Sequence, residues 1–268
     1  MHWTRSTFTL AIFGLACGAV SGGTSAHDGR VAVIVELFTS EGCSSCPPAD
    51  AVLAKLERTQ PVSDVRIIPL SEHVDYWNNL GWVDPFSSPQ FRARQNDFAQ
   101  VFGVDSVYTP QMVVNGFVEF VGDDMNRATA EIQRVAQQPA ATIQLRTNRN
   151  SNNSDLVDLN VRVRDIPSIK LPPRGSVAPL DIFLAVTEDN VQSDVSHGEN
   201  AGRRLRHAAV VRSFGVIGGM DPREKSELSL RPTLKLPGSW KRQDLHAVVF
   251  VQEHATRRII GSEIVDLD

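Results

Sequence analysis

Two cysteines three residues apart are the residues of this 268-residue chain best suited to chemistry. Cys43 and Cys46 lie in the stretch TSEGCSSCPPAD, with two serines between them and two prolines directly after them. Such a pair can be a redox couple, half of a metal site or a structural crosslink. A bridge across so few residues removes little entropy from the unfolded chain, which argues against the structural crosslink.

A helix that begins at the cysteine pair would favour redox chemistry. Unpaired N–H groups at a helix N-terminus favour a thiolate over a thiol, and the three-residue spacing lets the second thiol resolve a mixed disulfide. We predict Cys43 as the exposed nucleophile and Cys46 as the shielded resolving cysteine. Pro47 and Pro48 lack N–H groups, so we expect the regular helix to begin near Pro47, which weakens the effect of the helix dipole.

The first 26 residues have the layout of a secretory signal. Arg5 precedes the apolar run FTLAIFGLACGAV, and small polar residues lead to a cleavage point after Ala26. We therefore predict a bacterial protein that is periplasmic or secreted, with no transmembrane segment after cleavage. Lipidation at Cys17 is a rival fate, although Leu15 stands one position too close to it for the usual lipobox. The formal charge of −4 gives no electrostatic footprint for nucleic acid.

Residues 31 to 137 alternate strand and helix signals. VAVIVELF is a continuous apolar run typical of a strand buried on both faces, and PPADAVLAKLE carries prolines where a first helical turn tolerates them. Asn115-Gly116 between two apolar runs is a strong hairpin signal. The predicted order is β-α-β-α-β-β-α.

Past Pro139 the chain consists of short apolar runs divided by polar turns. In LVDLNVRVR, apolar residues alternate with polar ones, as expected of a strand with one buried and one wet face. Half a dozen such runs without helices predict an antiparallel β-sandwich of roughly a hundred residues.

Thr109-Pro110 stands directly before the predicted hairpin. Together with the cysteine pair at a strand-to-helix corner, this order resembles the thioredoxin fold over residues 31–138. The resemblance implies a cis proline at Pro110 that faces the cysteines, and a Thr109 backbone that is free to pair with a substrate peptide. The fold class it implies is an α/β thioredoxin-like domain, residues 27–139, followed by an all-β antiparallel sandwich-like domain, residues 140–268.

Four longer stretches resemble a more specific family. ELFTSEGCSSCPPAD, HVDYWNNLGWVDPF, VYTPQMVVNG and GENAGRRLRHAAVVR are similar to a family of uncharacterised secreted bacterial proteins with a thioredoxin-like unit and a β-rich tail, catalogued as a domain of unknown function. The resemblance implies a fold and a compartment but no substrate.

Glu36 lies on the first predicted strand, seven residues before Cys43. Thioredoxins keep a buried carboxylate near this point, so the resemblance implies that Glu36 is the base for the resolving thiol. The alternative is a glutamate that is exposed or paired with another side chain.

The aromatic segment SEHVDYWNNLGWVDPF leaves the end of the second strand. If the first two strands are parallel, this is the sheet edge that carries the cysteines, and we predict His73 and Trp77 as substrate contacts together with Thr109. For the aromatic residues Tyr76, Trp77, Trp82 and Phe86 we favour the alternative that they pack the segment onto the domain. In the second half, HGENAGRRLRH could contact the first domain or bind an acidic ligand, although we favour a solvated loop.

Three functions remain open at this point. The leading one is a thiol–disulfide oxidoreductase that acts on protein or small-molecule thiols and disulfides without a cofactor. The second is a copper or zinc binding protein with Cys43, Cys46 and His73 as ligands, and the third is a non-catalytic interaction module. The Ser-Ser dipeptide does not fix the reduction potential, so oxidase, reductase and isomerase are all possible.

Overall fold

The structure is a computed structural model that describes residues 29–149, 155–173, 175 and 177–267. The predicted signal segment, residues 1–26 with Cys17, lies outside the described residues. In the part that is described, no helix is both long enough and apolar enough to cross a membrane.

The described residues before Pro139 form alternating strands and helices in the predicted order. Their bounds are β1 Val31–Thr39, α1 Cys46–Thr59, β2 Val65–His73, α2 Pro89–Phe102, β3 Gln111–Val114, β4 Val118–Val121 and α3 Met125–Val135. Ser45 is the N-cap residue of α1, so this helix begins one residue before the predicted Pro47. Gly103 ends α2 in the left-handed conformation, which glycine adopts without steric cost.

The described residues after Pro139 contribute ten strands. They are β5 Thr142–Arg149, β6 Leu156–Arg164, β7 Leu180–Glu188, β8 Val191–Asp194, β9 Arg204–His207, β10 Val210–Met220, β11 Glu227–Leu230, β12 Thr233–Lys235, β13 Leu245–Glu253 and β14 Ile259–Asp266. All the α-helices of the described residues therefore belong to the first half of the chain.

The predicted fold class, an α/β thioredoxin-like domain followed by an all-β sandwich-like domain, is wrong. The described residues are mostly β, with 41% of them in strands and 19% in helices, and strands from both halves share one large mixed sheet. Its strand order is β14-β13-β7-β10-β2-β1-β3-β4. The parallel pair β1–β2 and the antiparallel pairs β1–β3 and β3–β4 form one end of this sheet.

The burial of individual strands gives the physical reason for this correction. Residues 180–188 and 245–253 are almost continuously buried, whereas β6 alternates between buried and partly exposed positions. Strands buried on both faces extend the interior of a large sheet, and an alternating strand suits an outer layer. β6 accordingly lies in a smaller sheet of order β11-β6-β12 with β5 paired to it, and β8 and β9 form a separate ribbon.

The two halves join where β10 lies beside β2. Val210 pairs with Ser71 in parallel register, and the Ser71 N–H donates to the carbonyl of Ala209 at 2.8 Å. The joint places the residues that precede β10, including His207 at the end of β9, near the end of β2.

The faces of the large sheet fix where side chains of β1 and β2 point. Val35 and Leu37 pack with Leu53 of α1, whereas Ile34 and Phe38 belong to the core on the opposite face, where α2 packs. Because side chains alternate along a strand, Thr39 and its register partner His73 point to the α1 face. Glu36 points to the α2 face. The ends of β1 and β2 thus present polar side chains toward the start of α1.

Candidate functional site

Cys43 and Cys46 form a disulfide that closes the turn between β1 and α1. The Cys43 N–H donates to the Ser40 carbonyl at 3.1 Å, and the Cys46 N–H donates to the Cys43 carbonyl at 3.2 Å. The Ser45 hydroxyl lies 3.3 Å from the sulfur of Cys43. Both cysteines have no exposed surface. The prediction of an exposed Cys43 is therefore wrong, and Ser44 and Ser45 are the exposed residues of the motif.

A segment of the second half covers this turn. We call residues 195–203, which connect β8 to β9, the cover segment. Within it the Asn200 side-chain amide donates to the carbonyls of Glu41 and Cys43, both at 2.9 Å. The Glu199 carboxylate accepts the Ser44 N–H at 3.0 Å. Seven of the nine residues of the cover segment are exposed, as expected of the solvated loop favoured from the sequence. Through Glu199 and Asn200 the segment also contacts the first half of the chain, which was the alternative.

His73 lies beneath this turn in a buried ion pair. Its Nδ1 is 2.7 Å from Oδ2 of Asp84, and the same oxygen accepts the Glu41 N–H at 2.9 Å. Burial by itself would lower the pKa of His73, but the Asp84 carboxylate outweighs it, and the pKa of His73 is raised. Burial would likewise raise the pKa of Asp84, yet His73 and the backbone donors hold it below its usual value. No sequence pattern singles out Asp84 as the partner of His73.

His207 stands between two buried carboxylates. Its Nε2 is 3.2 Å from Oε1 of Glu41, and its Nδ1 is 3.7 Å from Oδ2 of Asp50. Its ring meets that of His73 edge to face, with 4.8 Å between the centroids. Trp82 completes the arrangement, because its Nε1 donates to Oε2 of Glu41 at 2.8 Å.

Asp50 connects this histidine pair to the cysteines. It lies on α1 four residues after Cys46, so the two side chains share a helix face one turn apart. Its Oδ1 accepts the hydroxyl of Thr39 at 2.8 Å. Burial raises the pKa of Asp50 against the opposing effects of His207, His73 and Thr39. We did not single out Asp50 from the sequence, although its spacing from Cys46 is a helical signal.

Trp77 links the cysteine turn to Thr109. Its Nε1 donates to the Thr109 hydroxyl at 2.9 Å, and its Cβ would lie 3.0 Å from a Cβ added to Gly42. The Thr109–Pro110 peptide bond is cis, as predicted. These contacts place Trp77 between the residue before Cys43 and the residue before Pro110.

The other aromatic residues of this segment pack within the protein. The Tyr76 hydroxyl donates to Oε1 of Gln95 at 3.3 Å. The Phe86 ring lies 5.5 Å from the ring of His73 and 6.0 Å from that of His207, measured between centroids. These contacts agree with the packing role that we favoured for them.

Glu36 occupies a different buried cluster. Its Oε2 accepts a hydrogen bond from Nε of Arg94 on α2 at 2.5 Å, and Glu72 lies 3.5 Å from the same nitrogen. Burial and the neighbouring Glu36 raise the pKa of Glu72 well above its usual value. Since Arg94 packs on the sheet face opposite α1, Glu36 matches the alternative of a partner-satisfied glutamate. Its role as the base for Cys46 stays a prediction.

The metal-binding alternative gains no support from the geometry. Among the described residues, no group of three or more His, Cys, Asp or Glu side chains is arranged to hold a metal ion. His73 uses Nδ1 to pair with Asp84, and the two sulfur atoms are joined to each other.

Comparison with protein families identifies the family to which the chain belongs. The family described as "Protein of unknown function (DUF1223)" matches residues 34–252. The chain belongs to this family. The match begins within β1 and ends within β13, so it spans both the cysteine turn and the cover segment. No curated protein matches the chain.

Two solved structures share the fold of this DUF1223 member. Protein AGR_C_4864 from Agrobacterium tumefaciens is 28% identical, with a TM-score of 0.61, and the alignment covers 89% of this chain and 96% of that one. HBP35 of Porphyromonas gingivalis is 16% identical with a TM-score of 0.65, covering 89% of this chain and 76% of that one. The likeness to the Porphyromonas protein concerns the fold alone.

Proposed function

We propose that this DUF1223 member is a thiol–disulfide oxidoreductase whose redox centre is the Cys43–Cys46 disulfide. The observation that carries the proposal is the disulfide itself, which closes a three-residue spacing at the start of α1. A disulfide that short contributes little to the stability of a chain with large cores of its own, so a chemical role explains it better than a structural one.

Each cysteine has its own part in the exchange. The thiolate of a substrate attacks the sulfur of Cys43, the bond between the cysteines breaks, and the electron pair leaves on the sulfur of Cys46. In the reverse direction the Cys46 thiolate resolves a mixed disulfide held on Cys43. The Ser45 hydroxyl, 3.3 Å from the Cys43 sulfur, is placed to donate to a thiolate there.

The remaining predicted residues complete the proposed site. Thr109 and Pro110 would face the backbone of a substrate peptide, and Trp77 would fix Thr109 through the hydrogen bond between them. His73, predicted as a substrate contact, is fully buried, so it would instead contribute its ion pair with Asp84 beneath the cysteines.

We place the protein in the bacterial periplasm or outside the cell. The signal-like first 26 residues support this compartment. A disulfide is also the form expected of a cysteine pair in an oxidising compartment.

The test is the thiol–disulfide equilibrium of the mature protein in a series of reduced and oxidised glutathione. We expect Cys43 and Cys46 to interconvert between disulfide and dithiol, and the Cys43→Ser, Cys46→Ser double variant to show no transition. Cys46→Ser should accumulate mixed disulfides on Cys43 after incubation with periplasmic extract, because attack proceeds without resolution. Cys43→Ser should trap none. Equal alkylation of the two single variants, with no trapped adduct, would refute the oxidoreductase.

A further inference from the structure

Asp50 and His207 form a buried pair whose chemistry the exchange at Cys43 leaves unused. Asp50 is one helical turn from Cys46 on the same face of α1. His207 comes from the C-terminal half, and its Nδ1 is buried with no hydrogen-bond partner, 3.7 Å from the Asp50 carboxylate. A buried ring nitrogen without a hydrogen-bond partner lowers the stability of the folded protein, so its presence calls for a functional explanation.

We propose that Asp50 and His207 form the proton-transfer pair that serves the sulfur of Cys46 during thiol–disulfide exchange. This inference rests on the oxidoreductase function and adds to it a residue from the second half of the chain. Asp50 carries the transferred proton, and His207 is a positioning residue that acts through Asp50.

The need for such a pair follows from the burial of Cys46. A thiolate released in surroundings without exposed surface is unfavourable, because burial penalises the charged form. Because Cys46 has no exposed surface, a neighbouring buried acid is better placed than water to supply this proton. Asp50 is suited to that task because burial favours its protonated form.

The proposed step balances as follows. A small-molecule thiolate forms a bond to the sulfur of Cys43, and the bond between the cysteines breaks with its electron pair on Cys46. The Asp50 carboxyl gives its proton to the Cys46 thiolate. His207, as the imidazolium with Nε2–H toward Glu41, donates a hydrogen bond from Nδ1–H to the Asp50 carboxylate that remains. A second thiolate attacks the mixed disulfide and releases the oxidised small molecule, which leaves Cys43 as a thiolate. Solvent then returns a proton to Asp50.

Several other groups surround Asp50 and must be considered in its titration. His207 approaches from β9, His73 from β2 and Thr39 from β1, and the carboxylates of Asp84 and Glu41 lie behind the two histidines. His207, His73 and Thr39 hold the pKa of Asp50 down, and Asp84 raises it. Removing one of the first three should therefore move the titration of Asp50 to higher pH.

The experiment is reduction of the mature protein by glutathione across the pH range in which the protein stays folded, with each rate divided by the glutathione thiolate concentration. In the wild type the normalised rate should fall as pH rises through the pKa of Asp50, because the proton donor is lost. Asp50→Asn should reduce the rate at the low end at least roughly tenfold and abolish the pH dependence.

Two further variants separate proton transfer from a structural role. His207→Gln and Thr39→Val should shift the fall in rate to higher pH, whereas a purely structural defect would change the rate equally at every pH. Thr39→Val removes a single hydroxyl and carries the test if His207→Gln fails to fold. His197→Gln changes an exposed histidine of the cover segment and is the matched control, with an unchanged profile expected.

The outcomes for this pair and for the oxidoreductase are distinct. A wild type that exchanges with glutathione, together with Asp50→Asn at the wild-type rate and pH profile, would overturn the pair and leave the oxidoreductase standing. Unshifted pH profiles in both His207→Gln and Thr39→Val would show that His207 does not act through Asp50. A wild type that undergoes no thiol–disulfide exchange with glutathione at any pH would overturn both.

Discussion

At the scale of single residues, the ion pair between His73 and Asp84 makes the stability of the folded protein depend on pH. Both side chains are fully buried. The folded-state pKa of His73 is raised, so its contribution to stability is present below the unfolded value of about 6.5 and is lost as pH rises through the folded pKa. The pKa of Asp84 is lowered, so its contribution is lost only in acid, as pH falls through that pKa.

We predict that Asp84→Asn destabilises the protein most in mildly acidic solution. Removing one partner of a buried pair costs about 3 kcal/mol, and this loss should be greatest near pH 5.5 and shrink as pH rises through the folded pKa of His73. Urea unfolding at several pH values measures the effect. Asp123→Asn, at an exposed position, should show no such trend. A loss for Asp84→Asn that is equal across the range would contradict the ion pair.

Only some residues of the candidate site could be predicted from the sequence. The spacing of Cys43 and Cys46 marked the redox candidate, and Thr109-Pro110 marked a cis peptide bond. Asp50 and His207 escaped notice because a single acid on a helix and a single histidine on a short strand have no motif. Their meeting depends on β9 folding back over α1, which local sequence does not encode.

At the scale of elements, the ribbon of β8 and β9 carries the cover segment to the disulfide. Asn200 is fully buried, and its amide is the link between the segment and the carbonyls of Glu41 and Cys43. The glycine at 198 permits close approach, since an added Cβ would lie 3.2 Å from the Cβ of Trp82. We therefore expect the segment to limit access to the sulfur atoms.

We predict that Asn200→Ala exposes the reduced cysteines. Loss of the amide leaves the Glu41 carbonyl without its donor and should destabilise the protein by about 1–3 kcal/mol, while reduced Cys43 should alkylate several times faster than in the wild type. Gln192→Ala, at an exposed position of β8, is the control with an unchanged rate. An unaltered alkylation rate in Asn200→Ala would show that the segment does not limit access.

The elements themselves were largely predictable, but their arrangement was not. Period-two and period-3.6 patterns located the strands and helices of residues 31–137 in the right order. They do not specify which strands become neighbours, so strands of the second half looked like a separate sandwich. The single Val210–Ser71 pairing that joins β10 to β2 has no signature in either strand.

At the scale of the whole molecule, the halves are held together by more than the shared sheet. The β3–β4 turn docks onto the loop between β13 and β14, where Ile259 N–H donates to the Asn115 carbonyl at 2.8 Å. The division into residues 27–139 and 140–268 remains a proposal about the chain. Because the two units share a sheet and this docking contact, we expect them to unfold together.

We predict that Gly116→Ala disrupts this docking. Its Cβ would lie 2.1 Å from the Arg257 carbonyl oxygen, a backbone atom that cannot turn away. Gly103 has almost the same φ, 67° against 66°, but nothing lies within 4 Å of an added Cβ. Gly103→Ala should therefore lose only about 1–2 kcal/mol of backbone strain energy, and Gly116→Ala at least about 2 kcal/mol more. Comparable losses in thermal unfolding would contradict the clash.

The covered disulfide also determines how reduction responds to the amount of thiol. Neither sulfur has exposed surface, so we expect a thiol to attack only during the intervals when the cover segment has moved aside. When thiol is scarce, the segment opens and recloses many times per attack, and the rate grows in proportion to concentration. When thiol is abundant, every opening ends in reduction, and the rate reaches a ceiling equal to the opening rate. On this expectation the C-terminal half sets the maximum speed of a reaction whose sulfur atoms both belong to the N-terminal half.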